Sequence, residues 1–388
     1  MIVALCVHTA AALDGSGTQQ DPWRIESLAD FDEFAADPNY WSGFTRLESD
    51  VNLAGRTYST AVIAPDIDNS NYSFDGTAFT GVFDGNDHKL IGLTIDDGGT
   101  GNWYLGLFGY IDGGDVKNLH LEGGDASGYV FVGCLVGVNV LGSISNCYST
   151  GDVSGSKYVG GLVGANGYWR SPGGPITNCH STGDVSGDGG VGGLVGSNGD
   201  TLLNCYSTGD VNGTERGVGG LVGLNCDSVS SCYSTGDVSG YGSVGGLVGE
   251  NGYYDGWVSL PGYIYNSYST GAVEGALYVG GLVGYNFAGD IEGSFWDVQT
   301  SGEPNMCGLQ TEYATGCDPN CGKTTAEMQT RSTFTEAGWD FIEIWGIGEH
   351  QTYPYLRFAP AGDLNYDKKV DLVDLAILAS HWLEGKDN

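Results

Sequence analysis

The sequence predicts an all-β fold, a right-handed parallel β-helix (solenoid) closed by short capping elements, and three observations predict it. One run of letters recurs: "NCYSTGDVSG" from Asn146, "NCHSTGDVSG" from Asn178, "NCYSTGDVNG" from Asn204, "SCYSTGDVSG" from Ser231 and "NSYSTGAVEG" from Asn266. A second run accompanies it, "GGLVG" beginning at Gly160, Gly192, Gly219, Gly245 and Gly280, with weaker versions at Gly133 ("GCLVG") and Leu105 ("LGLFG"). The aspartates of "STGDV" are Asp152, Asp184, Asp210 and Asp237, so undisturbed steps are 26 or 27 residues and a loop lengthens the others. A fixed period in this range marks a solenoid. Each unit, finally, holds three β-favouring words ("SISNCYST", "GDVSG", "YVGGLVG") parted by Gly, Asn, Asp and Ser, and none offers the apolar 3.6 periodicity of a helical repeat. Three strands per turn imply a triangular coil.

Composition bounds the class. The 68 glycines among 388 residues lack the every-third-residue period of collagen, and 23 Tyr, 13 Phe and 9 Trp exclude a disordered linker. With 14 basic against 48 acidic residues the formal charge is −34, which argues against nucleic acid or an anionic membrane as partner and for cation-binding capacity. No stretch reaches the roughly 18 apolar residues of a membrane span.

Taken in order, residues 1–13 ("MIVALCVHTAAAL") read as a signal peptide remnant with cleavage near Ala12, which predicts an extracellular, secreted or cell-surface location. The alternative for this run is a buried first strand. Residues 14–104 read as an N-terminal cap, with "SLADFDEFAA" as its helix, followed by the divergent coils "FTRLESDVNLAG" and "FTGVFDGNDHKLIGLTI". Residues 105–302 hold the regular coils, "SFWDVQTSG" being the last. In residues 303–360, "GKTTAEMQTRSTFTEAGWDF" offers a short helix with Thr324 and Glu327 spaced as a capping box, expected to cover the open end of the coil.

The repeat "VGGLVGxN" followed by "xIxNCYSTGxV" resembles the GLUG motif over roughly residues 105–300. The resemblance implies a bacterial surface or secreted β-helix and no single activity. Some proteins with this motif carry an immunoglobulin A peptidase, which needs a zinc-binding HExxH. None of the six histidines here stands in one, so that activity does not carry over.

Stacking fixes the reading of single columns. Cys147, Cys179, Cys205 and Cys232 fall on one position of successive coils, about 4.8 Å apart, further than the roughly 3.8 Å a relaxed disulfide takes between Cβ atoms. They read as a ladder of buried free thiols. Cys307, Cys317 and Cys321, in irregular sequence, are the disulfide or metal candidates. Alternation then turns Tyr148, His180, Tyr206, Tyr233 and Tyr268 outward as an exposed column of rings. Asn146, Asn178, Asn204 and Asn266 form an amide ladder at a bend. The aspartate column reads as turn residues, with a calcium-bridged edge as the alternative. Its carboxyl spacing also matches that of a retaining glycosidase, yet residues 118–300 contain only Lys157, Arg170 and Arg216 as basic partners.

Two insertions break the period just after "GLVGxN": "GYWRSPGGP" and "GYYDGWVSLPGY". Their coils are three steps apart, which puts their roots about 14 Å apart along one edge. Tyr168, Trp169, Tyr253, Tyr254 and Trp257, with Arg170 and Asp255, are the candidate glycan-binding residues; the bland reading is that the rings shield the coil edge.

Residues 361–388 carry "GDLNYDKKVDLVDLAILASHWLEG". Asp363, Asn365, Asp367, Asp371 and Asp374 occupy positions 1, 3, 5, 9 and 12 of a calcium loop, and Lys369 at position 7 would offer its carbonyl. This looks like one dockerin type I repeat, and implies Ca2+ and a cohesin-like partner. Lys368 stands where the turn prefers Gly, and one repeat is present where the domain has two. With it the fold class gains a small α-helical calcium-loop tail. The sequence-level function is thus a non-catalytic β-helix that binds a polysaccharide or cell-surface glycan and attaches through a calcium-dependent segment. A polysaccharide-degrading glycosidase or lyase, and an inert stalk, stand as alternatives.

Overall fold

The computed structural model describes residues 12–71, 73–168, 171–254 and 259–357. The chain winds as an all-β parallel solenoid of about eight turns with few helices. Four sheets of 10, 10, 13 and 9 strands run along its axis. In one coil, Ser143–Ser145 lies on the first face and Tyr148–Ser149 on the second. Val153–Ser154 and Lys157–Gly160 form two segments of the third face, and Val163–Tyr168 lies on the fourth. Each letter of the repeat sits on its counterpart in the next coil: Ile144 on Ile176, Tyr148 on His180, Val153 on Val185, Val159 on Val191 and Val163 on Val195.

The coil is therefore four-faced, not triangular. Two of the three expected strands are each broken in the middle. Asn146 takes a left-handed conformation (φ 53°) and ends the first face inside "SISNCYST". The pair Gly160–Gly161 turns the corner inside "YVGGLVG". A Cβ on Gly161 would lie 2.1 Å from Ser181 Oγ, and one on Gly160 2.2 Å from the Val163 carbonyl. A side chain at Gly160 has no room, whereas at the next position Cys134 stands in place of Gly161 in the preceding coil.

The interior is a stack of like on like. Leu162, Leu194, Leu221, Leu247 and Leu282 are fully buried at one corner, and valines fill the strands between. Cys147, Cys179, Cys205 and Cys232 are buried and unbridged, as the spacing predicts. Burial pushes the Cys179 and Cys232 thiols well up from their ordinary value. Ser267 continues the column, its hydroxyl accepting from the Cys232 amide at 3.1 Å.

At the N-terminal end, helix α1 (Leu28–Ala36) is capped by Ser27 and inserts Phe31 and Phe34 into the core, Phe34 packing 5.5 Å from Phe83. The divergent coils expected over 44–55 and 79–95 are present as strands Phe44–Leu47, Val51–Asn52, Val82–Asp84, Lys89–Ile91 and Thr94–Asp96.

Winding continues past "SFWDVQTSG". Phe295–Asp297 leads into α2 (Val298–Ser301), then Cys307–Gln310 adds a strand to the fourth face and Gly322–Lys323 one to the second. Cys307 and Cys317 form a disulfide, and Cys321 is free. Helix α3 (Thr325–Met328) has the expected capping box, with Glu327 accepting from the Thr324 amide at 2.8 Å. The segment from here on, with α4 (Arg331–Thr335) and the hairpin Trp345–Gly346/Tyr355–Leu356, folds back across the flank of the second face as well as closing the end.

Candidate functional site

The ring column on the second face is real. His120, Tyr148, His180, Tyr206, Tyr233 and Tyr268 stack with centroids 4.4 to 5.1 Å apart. It is not the exposed surface that alternation alone predicts. Tyr206, Tyr233 and Tyr268 are 4%, 4% and 1% exposed, because Phe334, Trp339, Phe341, Trp345 and Leu356 of the C-terminal segment cover them. Tyr268 donates to the Pro354 carbonyl at 2.5 Å. This column is a second core. His180, sandwiched between Tyr148 and Tyr206, is pushed down to about 3 by burial and, secondarily, by His120.

The aspartate column is exposed and structural. Asp152 accepts from the Asp184 amide, Asp184 from Asp210 and Asp210 from Asp237, each at 2.9 Å. Each of these carboxylates thus ties one turn to the next. Among the described residues no group of three or more His, Cys, Asp or Glu is arranged to hold a metal ion.

The outer asparagines form the expected ladder from Asn146 to Asn204, and Ser231 then stands in the column before Asn266. All four take left-handed φ (47° to 55°), and Asn178 donates to Asn146 Oδ1 at 3.0 Å and Asn204 to Asn178 Oδ1 at 3.2 Å. A second ladder, which local turn signatures do not mark, runs through the N of every "GLVGxN". Asn139, Asn166, Asn198, Asn225, Asn251 and Asn286 are at most 1% exposed; each of the first five donates to the next side-chain oxygen at 2.8 to 3.0 Å, and Asn286 donates to the Thr315 carbonyl at 3.1 Å.

This inner ladder roots the two insertions. Asn166 donates to the Gly174 carbonyl and Asn251 to the Gly262 carbonyl, both at 3.0 Å, pinning the base of each loop. The insertions are β-hairpins, with Gly167–Tyr168 pairing Ser171–Pro172 and Tyr253–Tyr254 pairing Ser259–Leu260. Both leave the same corner of the fourth face, and Asn166, Asn198, Asn225 and Asn251 count three coil steps between them. Tyr253 is 43% exposed. Trp169, Arg170, Asp255 and Trp257 lie outside the described residues, as do the calcium-loop residues Asp363, Asn365, Asp367, Lys369, Asp371 and Asp374.

The repeated unit, now placed in a coil, matches a known motif: the GLUG motif over residues 155–186, 187–212 and 275–295. The chain carries GLUG-motif repeats. Among curated proteins, halomucin of Haloquadratum walsbyi is 30% identical over 143 residues, which is 36% of this chain and 2% of that protein. A candidate Gly-rich membrane protein of Evansella cellulosilytica is 37% identical over 92 residues, 18% of this chain and 10% of the relative. The GLUG-bearing chain thus matches only a small part of either relative's length. Among solved structures, a candidate immunoglobulin A1 protease from Bacteroides ovatus is similar, with a TM-score of 0.53, 20% identity, and coverage of 89% of this chain and 95% of that one. That likeness shows the shared β-helix fold. Among the described residues no helix is long and apolar enough to cross a membrane.

Proposed function

We propose that this protein is a secreted or surface-attached, non-catalytic β-helix that binds a polysaccharide or cell-surface glycan. The observation that supports it is the pair of hairpins on one corner of the fourth face, three coils apart, with aromatic residues in their first strands and one tryptophan between the strands of each. Tyr168, Trp169, Tyr253, Tyr254 and Trp257 supply ring faces for sugar C–H surfaces, and Arg170 and Asp255 supply hydrogen bonds to hydroxyls. The coil's winding is right-handed, as parallel crossover connections are in nearly all sheets.

The tail completes the reading. Asp363, Asn365, Asp367, Asp371 and Asp374, with the carbonyl of Lys369, bind Ca2+ and order a helix that attaches the protein to a cohesin-like partner or an equivalent surface.

A pull-down of the full chain on insoluble polysaccharides tests the binding role. Wild type is expected in the bound fraction, and the variant Trp169→Ala, Tyr253→Ala, Trp257→Ala in the supernatant. Equal retention of both proteins, or retention of neither, refutes it. Release of reducing ends or unsaturated products from the same polysaccharides would instead favour an enzyme.

A further inference from the structure

The outer asparagine column changes its letter near the end of the coil, and the change frees a side chain beside a cleft. Asn146 donates to Asn118 Oδ1 at 3.0 Å, and Asn178 and Asn204 continue the series. In the next three coils the same position holds Ser231, Asn266 and Gly293. The series stops there, and Asn204 Oδ1 is left buried without a partner. Asn266 keeps the left-handed backbone (φ 47°) but has no amide before or after it in the column. A Cβ on Gly293 would lie 2.5 Å from Asn266 Oδ1, so the glycine leaves that amide its room.

The same register builds one wall of the cleft. Ser230, Tyr265 and Glu292 are the last residues of successive first-face strands and stand in a column, about 4.8 Å from coil to coil. Among the described residues the side chains of Ser230, Tyr265, Asn266 and Glu292 make no hydrogen bond or ion pair within the protein. Across from them Ser332 and Glu336 of α4 are exposed. The cleft between holds about 900 Å³, the size of an ordinary ligand site.

Helix α4 is anchored independently of these side chains. Phe334 meets Phe295 edge-on at 5.3 Å, and the Trp339 indole donates to the Gly293 carbonyl at 2.6 Å. The lysine of the cleft is already engaged: Lys323 donates to the Asn320 carbonyl at 2.9 Å and lies 5.8 Å from the Phe295 ring centroid. What remains free is amide, hydroxyl, ring and carboxylate. Glu292 and Glu336 accept hydroxyl hydrogens and repel an acidic ligand, as the charge of −34 does over the whole chain.

The cleft also adjoins the hairpin site. The second hairpin ends at Leu260 and runs directly into the first-face strand Gly262–Tyr265. Tyr263 and Tyr265 both point outward from this strand, their rings 6.2 Å apart and parallel within 7°. Tyr263 backs one side of the Tyr265 ring, and the opposite side borders the cleft.

We infer that the cleft is a subsite for an uncharged sugar unit of a neutral polysaccharide, which reaches it from the second hairpin over Tyr263 and Tyr265. The inference rests on the glycan-binding reading above, and adds a ligand class and a second point of contact. The Tyr265 ring packs against sugar C–H groups, the Asn266 amide donates to one hydroxyl and accepts from another, and Glu292 and Glu336 accept from the rest.

Titration calorimetry of the full chain with cellohexaose, xylohexaose, mannohexaose and hexagalacturonate tests this. Wild type is expected to bind at least one of the neutral hexamers and not hexagalacturonate. Tyr265→Ala, Asn266→Gly and Glu292→Ala should each weaken that binding about tenfold. Asn266→Gly and Glu292→Ala should keep the melting temperature, because they remove no hydrogen bond within the protein. Binding that is unchanged in all three variants overturns the inference; if Trp169→Ala, Tyr253→Ala, Trp257→Ala then abolishes it, the hairpin reading stands alone. Hexagalacturonate binding as tightly as the neutral hexamers overturns it too. If no hexamer binds, the inference is overturned as well, and retention on insoluble polysaccharides decides the parent reading separately.

Discussion

From Asn139 to Asn251 each buried asparagine of the inner ladder donates twice, to the next amide oxygen and to a loop carbonyl, so its removal strands several polar groups at once. Asn225 links Asn198 to Asn251 and also holds the Asp227 carbonyl at 2.8 Å. Asn225→Ala is expected to cost about 3 kcal/mol, since burying unsatisfied polar groups costs roughly 1–3 kcal/mol each and relaxation recovers part. Asn178→Gly, in the part-exposed outer ladder, keeps the left-handed backbone and should cost under about 1 kcal/mol. Urea unfolding of both variants checks the order; equal losses would contradict it. His180 gives a second residue-scale test. Its folded pKa lies below the unfolded value near 6.5, so its contribution is complete above that pH and is lost as pH falls toward about 3. Between pH 7 and 5 wild type should lose on the order of 2 kcal/mol more than His180→Tyr, read from melting temperatures. Both ladders are spelled in the repeat. Only the outer one was legible, because a turn asparagine has a local signature, whereas an inward amide looks like any strand-end polar residue until its neighbours are stacked on it.

At the scale of elements, the C-terminal segment is a lid on the tyrosine column. Trp345 is fully buried there, 6.3 Å from Tyr233 and 6.1 Å from Tyr268. Trp345→Ala is expected to cost about 3–5 kcal/mol, in the range for a buried aromatic, and to split the melt into an early transition of the flank and a later one of the coil. A single transition at the wild-type temperature would show that the lid is not separately stabilised. Alternation told correctly that these tyrosines leave the coil interior. It could not tell that they are covered, because the covering residues come 86 positions later in the pair Tyr268–Pro354 and carry no repeat of their own. The extra corners of the coil were hidden for a different reason: a β-favouring word names strand residues but not the one left-handed residue that bends it.

For the whole molecule, the charge of −34 sets the response to ions. Like charges spread over one rod repel, and screening or binding of cations relieves that repulsion. Titration of the full chain with Ca2+ should show a site that is lost in Asp363→Ala, Asp367→Ala; heat unchanged by those substitutions would remove the calcium loop from the account. The sequence by itself determined the solenoid, its register and its thiol-and-valine core, since a repeat stacked on itself leaves one alignment in which every apolar letter meets its own kind. The tertiary structure alone decided which outward columns are surface. Tyr206, Tyr233 and Tyr268 are buried by a segment distant in sequence, a relation that no linear spacing contains.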